Sequence, residues 1–266
     1  MDSGSDRLRL GLALGGGGAR GLAHIGVLGA FEDEGFEIDV ITGTSVGSLV
    51  GALTAAGLGS RDIESIARDI EWTDLVGLTL PKVGLVRTEK MERLIDDIVG
   101  AGTIEELDIP FAAVATDITT AEPVIFTRGP VASAVRASCS VPVVFEPTEV
   151  DGRVLVDGGL VNEVPGDTAR KLGADIVVAV NLNADRKNNE PPQNLIDVLF
   201  YSLNILIAGT SQAGRIDADV TLEPELKGFG YAELKRIDEL IQRGRAAAEN
   251  RIEDIRRLLR REGPGS

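Results

Sequence analysis

The sequence predicts an α/β fold whose mostly parallel central sheet is covered by helices. Three observations carry this reading. Leu8 to Leu14 is a short apolar run that ends in four glycines, Gly15 to Gly18, and leads into a helical pattern. Ile38 to Thr42 is a second such run, closed by Gly43 and followed by another helical segment. Ile176 to Asn181 is the most hydrophobic strand of the chain, as expected of a central strand covered on both faces. Two strand–glycine turn–helix units in tandem are the pattern of parallel strands joined by crossover helices.

Each element follows in order. After the first glycines, a helix begins at Ala19 with Leu22, Ile25, Leu28 and Phe31 near one face, and it breaks at Gly35. The second helix spans Ser48 to Ala56, closed by Gly57 and Gly59. Arg61 to Ile70 and Thr88 to Val99 read as helices separated by a loop at Pro81–Gly84. Strands resume at Pro110 to Thr116 and Val124 to Thr127, and a helix runs from Val131 to Ser138. Arg153 to Val156 is a short strand ending in Asp157-Gly158-Gly159. Ala184 to Asn194, with two prolines and three asparagines, is predicted to be a mobile surface loop. Leu195 to Ala208 is an apolar helix interrupted by Asp197 and Asn204. It is read as packing against the sheet, with a lipid-facing helix as the alternative. Leu234 to Leu259 spaces its apolar residues three and four apart among charges, the pattern of one long amphipathic helix at about 231–260. No internal repeat or long linker divides the chain, so one domain over 1–266 is expected.

Composition narrows the function. Hydrophobic residues are 43% and charged residues 26% of 266, enough to bury a sizeable core. Glycine is high at 32 residues, about 12% where roughly 7% is usual. The net charge of −15 repels phosphate backbones and anionic lipid, and seven Phe, two Tyr and one Trp make a poor base-stacking platform. Nucleic acid is therefore not an expected partner. One cysteine, Cys139, excludes an internal disulfide and a multi-thiolate zinc site, and one histidine, His24, excludes a multi-histidine metal site. Neither a metal nor a cofactor is expected. The polar start, Met1 to Leu10, and the lack of an 18-residue apolar run point to a cytoplasmic protein.

Three glycine-bounded motifs carry the chemistry. Gly16-Gly17-Gly18-Ala19-Arg20-Gly21 fits GxGxxG between a strand and a helix, where free amides favour an anion. A dinucleotide site would want an acid at the end of the second strand, but the nearest acids, Glu37 and Asp39, lie at its start. The second motif, Gly43-x-Ser45-x-Gly47, lies at a strand-to-helix junction and has the form of a nucleophile elbow; the plain alternative is a turn with Ser45 as helix N-cap. A usual triad needs a histidine after Ser45, and the chain has none there. His24 falls on a core-facing helix position, so the base for Ser45 would be a carboxylate. Asp157 of the third motif, Asp157-Gly158-Gly159, and Asp117 both end strands, and spacing alone leaves both open.

In this order, Gly-Gly-Gly-Ala-Arg-Gly at 16–21, Gly-Thr-Ser-Val-Gly at 43–47 and Asp-Gly-Gly at 157–159 resemble the patatin-like phospholipase family. Ala23-His24-Ile25-Gly26-Val27-Leu28, and Arg136-Ala137-Ser138 ahead of a proline, are similar to its small prokaryotic members, over roughly Leu8 to Pro224. The resemblance implies a three-layer α/β/α fold and a Ser–Asp dyad hydrolase of lipid acyl esters. It makes Ser45 the nucleophile and Asp157 the general base. It places the oxyanion hole in the first glycine motif, with Gly17 and Gly18 as donors and Arg20 orienting the loop or adding positive potential. The expected partner is a lipid or acyl-ester substrate, met in transient contact with a membrane surface. The competing readings are a non-catalytic regulatory or scaffolding protein of the same fold, and a nucleotide-binding module.

Overall fold

The computed structural model describes residues 7–69, 77–78, 86–87, 89–99, 102–184, 191–192, 195, 197–199, 201–202, 205, 216–233 and 235–260. The strands are β1 (Leu10–Leu14), β2 (Val40–Thr44), β3 (Gly77–Leu78), β4 (Val86–Arg87), β5 (Phe111–Asp117), β6 (Pro123–Phe126), β7 (Thr148–Val150), β8 (Arg153–Asp157), β9 (Ile176–Val180) and β10 (Val220–Leu222). The α-helices are α1 (Leu22–Asp33), α2 (Val46–Ala55), α3 (Ser60–Asp69), α4 (Glu89–Val99), α5 (Val131–Ser138), α6 (Gly166–Lys171), α7 (Ile237–Glu249) and α8 (Ile252–Leu259).

Eight strands form one sheet in the order β10-β9-β1-β2-β5-β8-β7, with β6 also on β5. From β10 to β5 every pairing is parallel, as the tandem crossover units predict. Past β5 the sheet turns antiparallel through β8, β7 and β6. β3 and β4 pair separately and antiparallel.

The two faces of the sheet are unequal, and strand parity explains why. Leu10, Leu12 and Leu14 of β1 and Ile176, Val178 and Val180 of β9 point to the main core, with Phe31, Leu28, Val50 and Val135 from the helices. The alternate positions are small: Gly11 and Ala13 of β1 and Ala179 of β9 face a thinner core beneath Ala169 and Ala174. Both faces are therefore dry, which makes these strands near-continuous apolar runs.

Several boundaries differ from the sequence pattern. β2 starts and ends two residues later than predicted, so Gly43 and Thr44 belong to the strand and Ser45 follows at once. The short elements β7, β10 and α6 carry too few residues for a periodic signal. β9 is not central but second from one edge; its hydrophobicity reflects cover on both faces rather than rank in the sheet. The C-terminal amphipathic segment is two helices, interrupted at Asn250 and Arg251. The predicted mobile loop at 184–194 and the Pro81–Gly84 loop lie largely or wholly outside the described residues.

The described helical residues within 195–205 pack in part as expected, with Leu199 against the main core, and also turn apolar side chains outward. Leu195, Val198 and Ile205 are exposed while Asp197 is buried, so apolar side chains point outward there. Tyr201 is turned inward, edge-on to Tyr231 with centroids 6.1 Å apart. Among the described residues no helix is long and apolar enough to cross a membrane.

Helix α7 lies across α1 at very short range. A Cβ on Gly26 would sit 1.9 Å from the Ile241 carbonyl oxygen, and one on Gly244 would sit 1.8 Å from that of Ala23. Only glycine at these crossing points lets the two backbones approach so closely.

Candidate active site

β2 delivers Ser45 at the C-terminal edge of the sheet and α2 begins at the next residue. The backbone there is strained: Ser45 has φ 54° and ψ −128°, a region that residues with a Cβ rarely occupy. Its side chain makes no capping hydrogen bond to α2, contrary to the plain N-cap alternative. The turn is crowded around it. A Cβ on Gly43 would meet the Gly47 carbonyl oxygen at 2.3 Å, and one on Gly47 would meet that of Leu14 at 2.2 Å.

Two serines from elsewhere hold the strain in place. The Ser45 backbone N–H donates to Ser138 Oγ at 2.9 Å, and Ser138 Oγ donates in turn to the Val114 carbonyl at 2.6 Å. Ser48 Oγ donates to the Ser45 carbonyl at 2.6 Å. Sequence reasoning missed both roles, although Ser138 stood in the Arg-Ala-Ser string that carries the resemblance.

Asp157 ends β8 opposite Ala115 of β5. Gly158 follows where a Cβ would be 2.1 Å from the Val114 carbonyl oxygen, so the glycine lets the carboxylate sit hard against β5. The Gly159 N–H donates to Asp157 Oδ1 at 2.8 Å, while Oδ2 is buried without a partner. Burial raises the carboxyl from 3.8 to about 6, against the lowering pull of Ser45 and the Gly159 amide; the charge of Glu163 adds to the rise. The Ser45 hydroxyl is thus near enough to act on the carboxyl as a hydrogen-bond donor, although Oδ2 has no partner at full hydrogen-bond geometry. Such contacts are often loose without substrate.

Asp117, the rival acid, is spent elsewhere. Its Oδ1 accepts from the backbone N–H groups of Thr119 and Thr120, closing the turn after β5. Cys139 does sit beside the site, with Sγ 3.9 Å from Ser48 Oγ. Burial pushes its thiol up to about 12, with the charge of Asp157 adding to the shift, so it stays protonated and unreactive.

The glycine loop can be accounted for bond by bond. The N–H groups of Gly15, Gly16, Ala19 and Arg20 donate to the carbonyls of Val180, Glu163, Tyr231 and Gly17. The Gly15 carbonyl accepts from His24 Nε2 at 2.9 Å, which sets that imidazole as the Nε2–H tautomer. The Gly16 carbonyl accepts from Asn183 Nδ2 at 3.1 Å. Among the described residues only the Gly17 and Gly18 amides of this stretch have no partner. Gly18 itself has φ 56°, and a Cβ there would be 2.5 Å from the Tyr231 carbonyl oxygen. Gly16 lies next to Ser45, since its Cβ would be 3.4 Å from the serine Cβ, and Gly21 packs on Val46. The loop and the elbow therefore adjoin.

His24 is fully buried in the core-facing position expected of it, and burial pushes it from 6.5 down to about 4, so it is neutral at ordinary pH. Sequence reasoning did not foresee its bond to the loop. Arg20 does not point out to solvent: it is 2% exposed and its guanidinium is turned to Phe229, Asn183 and Tyr231. Among the described residues no three His, Cys, Asp or Glu side chains are grouped to hold a metal.

An α/β sheet with a strained serine on a strand-to-helix turn, beside a buried carboxylate and a loop with two free amides, defines a class of hydrolase-like folds rather than a single protein. A family model of the patatin-like phospholipases matches residues 12–170, and the chain belongs to that family. At the level of the family, membership supports lipid hydrolysis. An NTE family protein of Mycobacterium bovis is 43% identical over 215 residues, covering 78% of this chain and 58% of the relative. Neuropathy target esterase sws of Drosophila melanogaster is 36% identical over 187 residues, 66% of this chain but 13% of that protein. The chain therefore spans only part of the length of these relatives. The crystal structure of VipD from Legionella pneumophila shares the fold with a TM-score of 0.61 at 14% identity, over 93% of this chain and 66% of that one.

Proposed function

We propose that this chain is a single-domain serine hydrolase that cleaves acyl esters of lipids through a Ser45–Asp157 dyad. The observation that carries this is the meeting of three features at one place: the strained Ser45, the unpartnered Asp157 Oδ2 and the two free amides of Gly17 and Gly18. Asp157 Oδ2 would take the proton as Ser45 Oγ attacks the ester carbonyl, and the tetrahedral intermediate would collapse to the acyl-enzyme as the alcohol leaves with that proton. The amides would bind the oxyanion, an effect worth ~3 kcal/mol for one donor. Water, deprotonated by the same carboxylate, would release the acid. A carboxyl raised to about 6 is a better base than a free one and is still ionised at neutral pH.

Lipid as the substrate class rests on the family and on the outward-facing Leu195, Val198 and Ile205. These side chains would meet a membrane surface by apolar contact. The test is labelling with a fluorophosphonate, followed by mapping of the adduct and turnover of a short-chain nitrophenyl ester. Ser45→Ala should lose both labelling and turnover with little change in Tm. An adduct on another residue, or turnover near wild type in Ser45→Ala, would sink the proposal. Folded wild-type protein that neither labels nor turns over would favour the non-catalytic alternative.

A further inference from the structure

The family match ends at residue 170, yet the glycine loop is held by groups beyond it. Asn183, buried just after β9, is a crossbar. Its Nδ2 donates to the Gly16 carbonyl at 3.1 Å and to Glu163 Oε1 at 2.6 Å. Its Oδ1 accepts from Tyr231 Oη at 2.7 Å and from Arg20 Nη1 at 3.2 Å. Tyr231 engages the loop three more times. Its carbonyl takes the Ala19 N–H at 2.8 Å, its hydroxyl is 3.2 Å from Arg20 Nη1, and its ring lies 4.1 Å from the guanidinium carbon. The Phe229 carbonyl takes Arg20 Nε at 3.0 Å.

Arg20 is thus a buried cation held by neutral oxygens and a ring face; among the described residues it makes no ion pair. A cation buried without a carboxylate is costly to fold, and its positive field is left uncancelled beside the glycine loop that its own residue belongs to. We infer that Asn183 and Tyr231 are positioning residues that hold Arg20 and the glycine loop so that the Gly17 and Gly18 amides converge on the oxyanion. The inference rests on the reading of that loop as the oxyanion hole. Neither residue touches the reacting atoms; each acts through loop geometry and through the placement of the Arg20 charge.

The test uses the full chain and the variants Tyr231→Phe, Asn183→Ala, the double variant, and Gly17→Val as a probe of the loop itself. Tyr231→Phe keeps the ring, the carbonyl and the core volume and removes only the hydroxyl. It should lower kcat about tenfold, the effect of one hydrogen bond to a charged network, with KM unchanged. Asn183→Ala should cost about 10²-fold in kcat, as a displacement of about 1 Å at the reacting centre does. Fluorophosphonate labelling should slow in step, because phosphonylation places its oxygen in the same hole. The double variant should be worse than Asn183→Ala by less than the tenfold of Tyr231→Phe alone, because the tyrosine hydroxyl acts partly through the amide and partly on Arg20 directly. A merely structural role would lower Tm and leave kcat and labelling rate per folded molecule unmoved. Wild-type rates in folded Tyr231→Phe and Asn183→Ala, with Gly17→Val inactive, would overturn this inference and spare the oxyanion reading. Wild-type rates in Gly17→Val would overturn the oxyanion reading and this inference with it. If Asn183→Ala does not fold, Tyr231→Phe alone decides.

Discussion

Asp157 and His24 are both buried titratable groups, and their pKa values move in ways that oppose each other. Asp157 rises from 3.8 to about 6, so the folded state holds a proton that the unfolded chain has released. Stability therefore falls as pH climbs from about 4 to 6, costing ~3 kcal/mol at neutral pH. Asp157→Asn removes that cost. The expected outcome is an inactive protein with a higher Tm at pH 7 and little change at pH 4, read by thermal melts beside ester turnover. The wild-type rate should rise with pH through about 6 as the carboxylate forms. His24 moves from 6.5 to about 4, so the unfolded chain takes up a proton first and stability falls as pH drops through that window. His24→Gln should lose stability at pH 7, where a packing and hydrogen-bonding group is gone, but soften further by less than wild type between pH 6.5 and 4. Melts at several pH values check this. A limb of the wild-type rate profile that vanishes in His24→Gln would instead make the imidazole a participant in the reaction.

At the level of elements, the contact of α1 with α7 shows which force dominates. Exposed pairs such as Arg245 with Asp33 and Arg256 with Glu34 bridge the C-terminal helices to α1, but such pairs are worth at most about 1 kcal/mol each. The glycine crossing and the buried Leu240 and Ala248 carry the joint. Gly244→Val should lower Tm by several degrees in thermal melts, through overpacking of about 1–3 kcal/mol. Replacing Arg245 by Ala should shift Tm far less. The strand–turn–helix units were legible because glycine punctuation and apolar runs are local signals. The supports of the site were not: the reach of Ser138 to the Ser45 amide, and of His24 to Gly15, are meetings across the fold that spacing does not encode. For the same reason the two candidate acids stayed level on spacing; the resemblance favoured Asp157, and the structure adds that Asp117 is taken up in the turn after β5. The split of the C-terminal helix at Asn250 left the apolar spacing nearly intact, so periodicity read straight through it.

For the whole molecule, a charge of −15 sets the terms of any encounter with lipid. Attraction to anionic headgroups is unavailable, so binding to zwitterionic vesicles should depend on apolar contact and change little with salt. Vesicle sedimentation across a salt series measures this, and Leu195→Asp with Ile205→Asp should abolish it. Strong binding that disappears in moderate salt would contradict it. The long reach from Ala19 to Tyr231 and from Ala23 to Gly244 also has a temporal meaning. A chain leaving the ribosome presents its serine, its carboxylate and its glycine loop well before the partners of that loop exist. The segment around Gly244 docks on a helix made far earlier, over a span that places the contact late in folding. Nascent and half-made chains would therefore carry the chemical groups in disarray. On this view the glycine loop is set only after Tyr231 and Gly244 have been made.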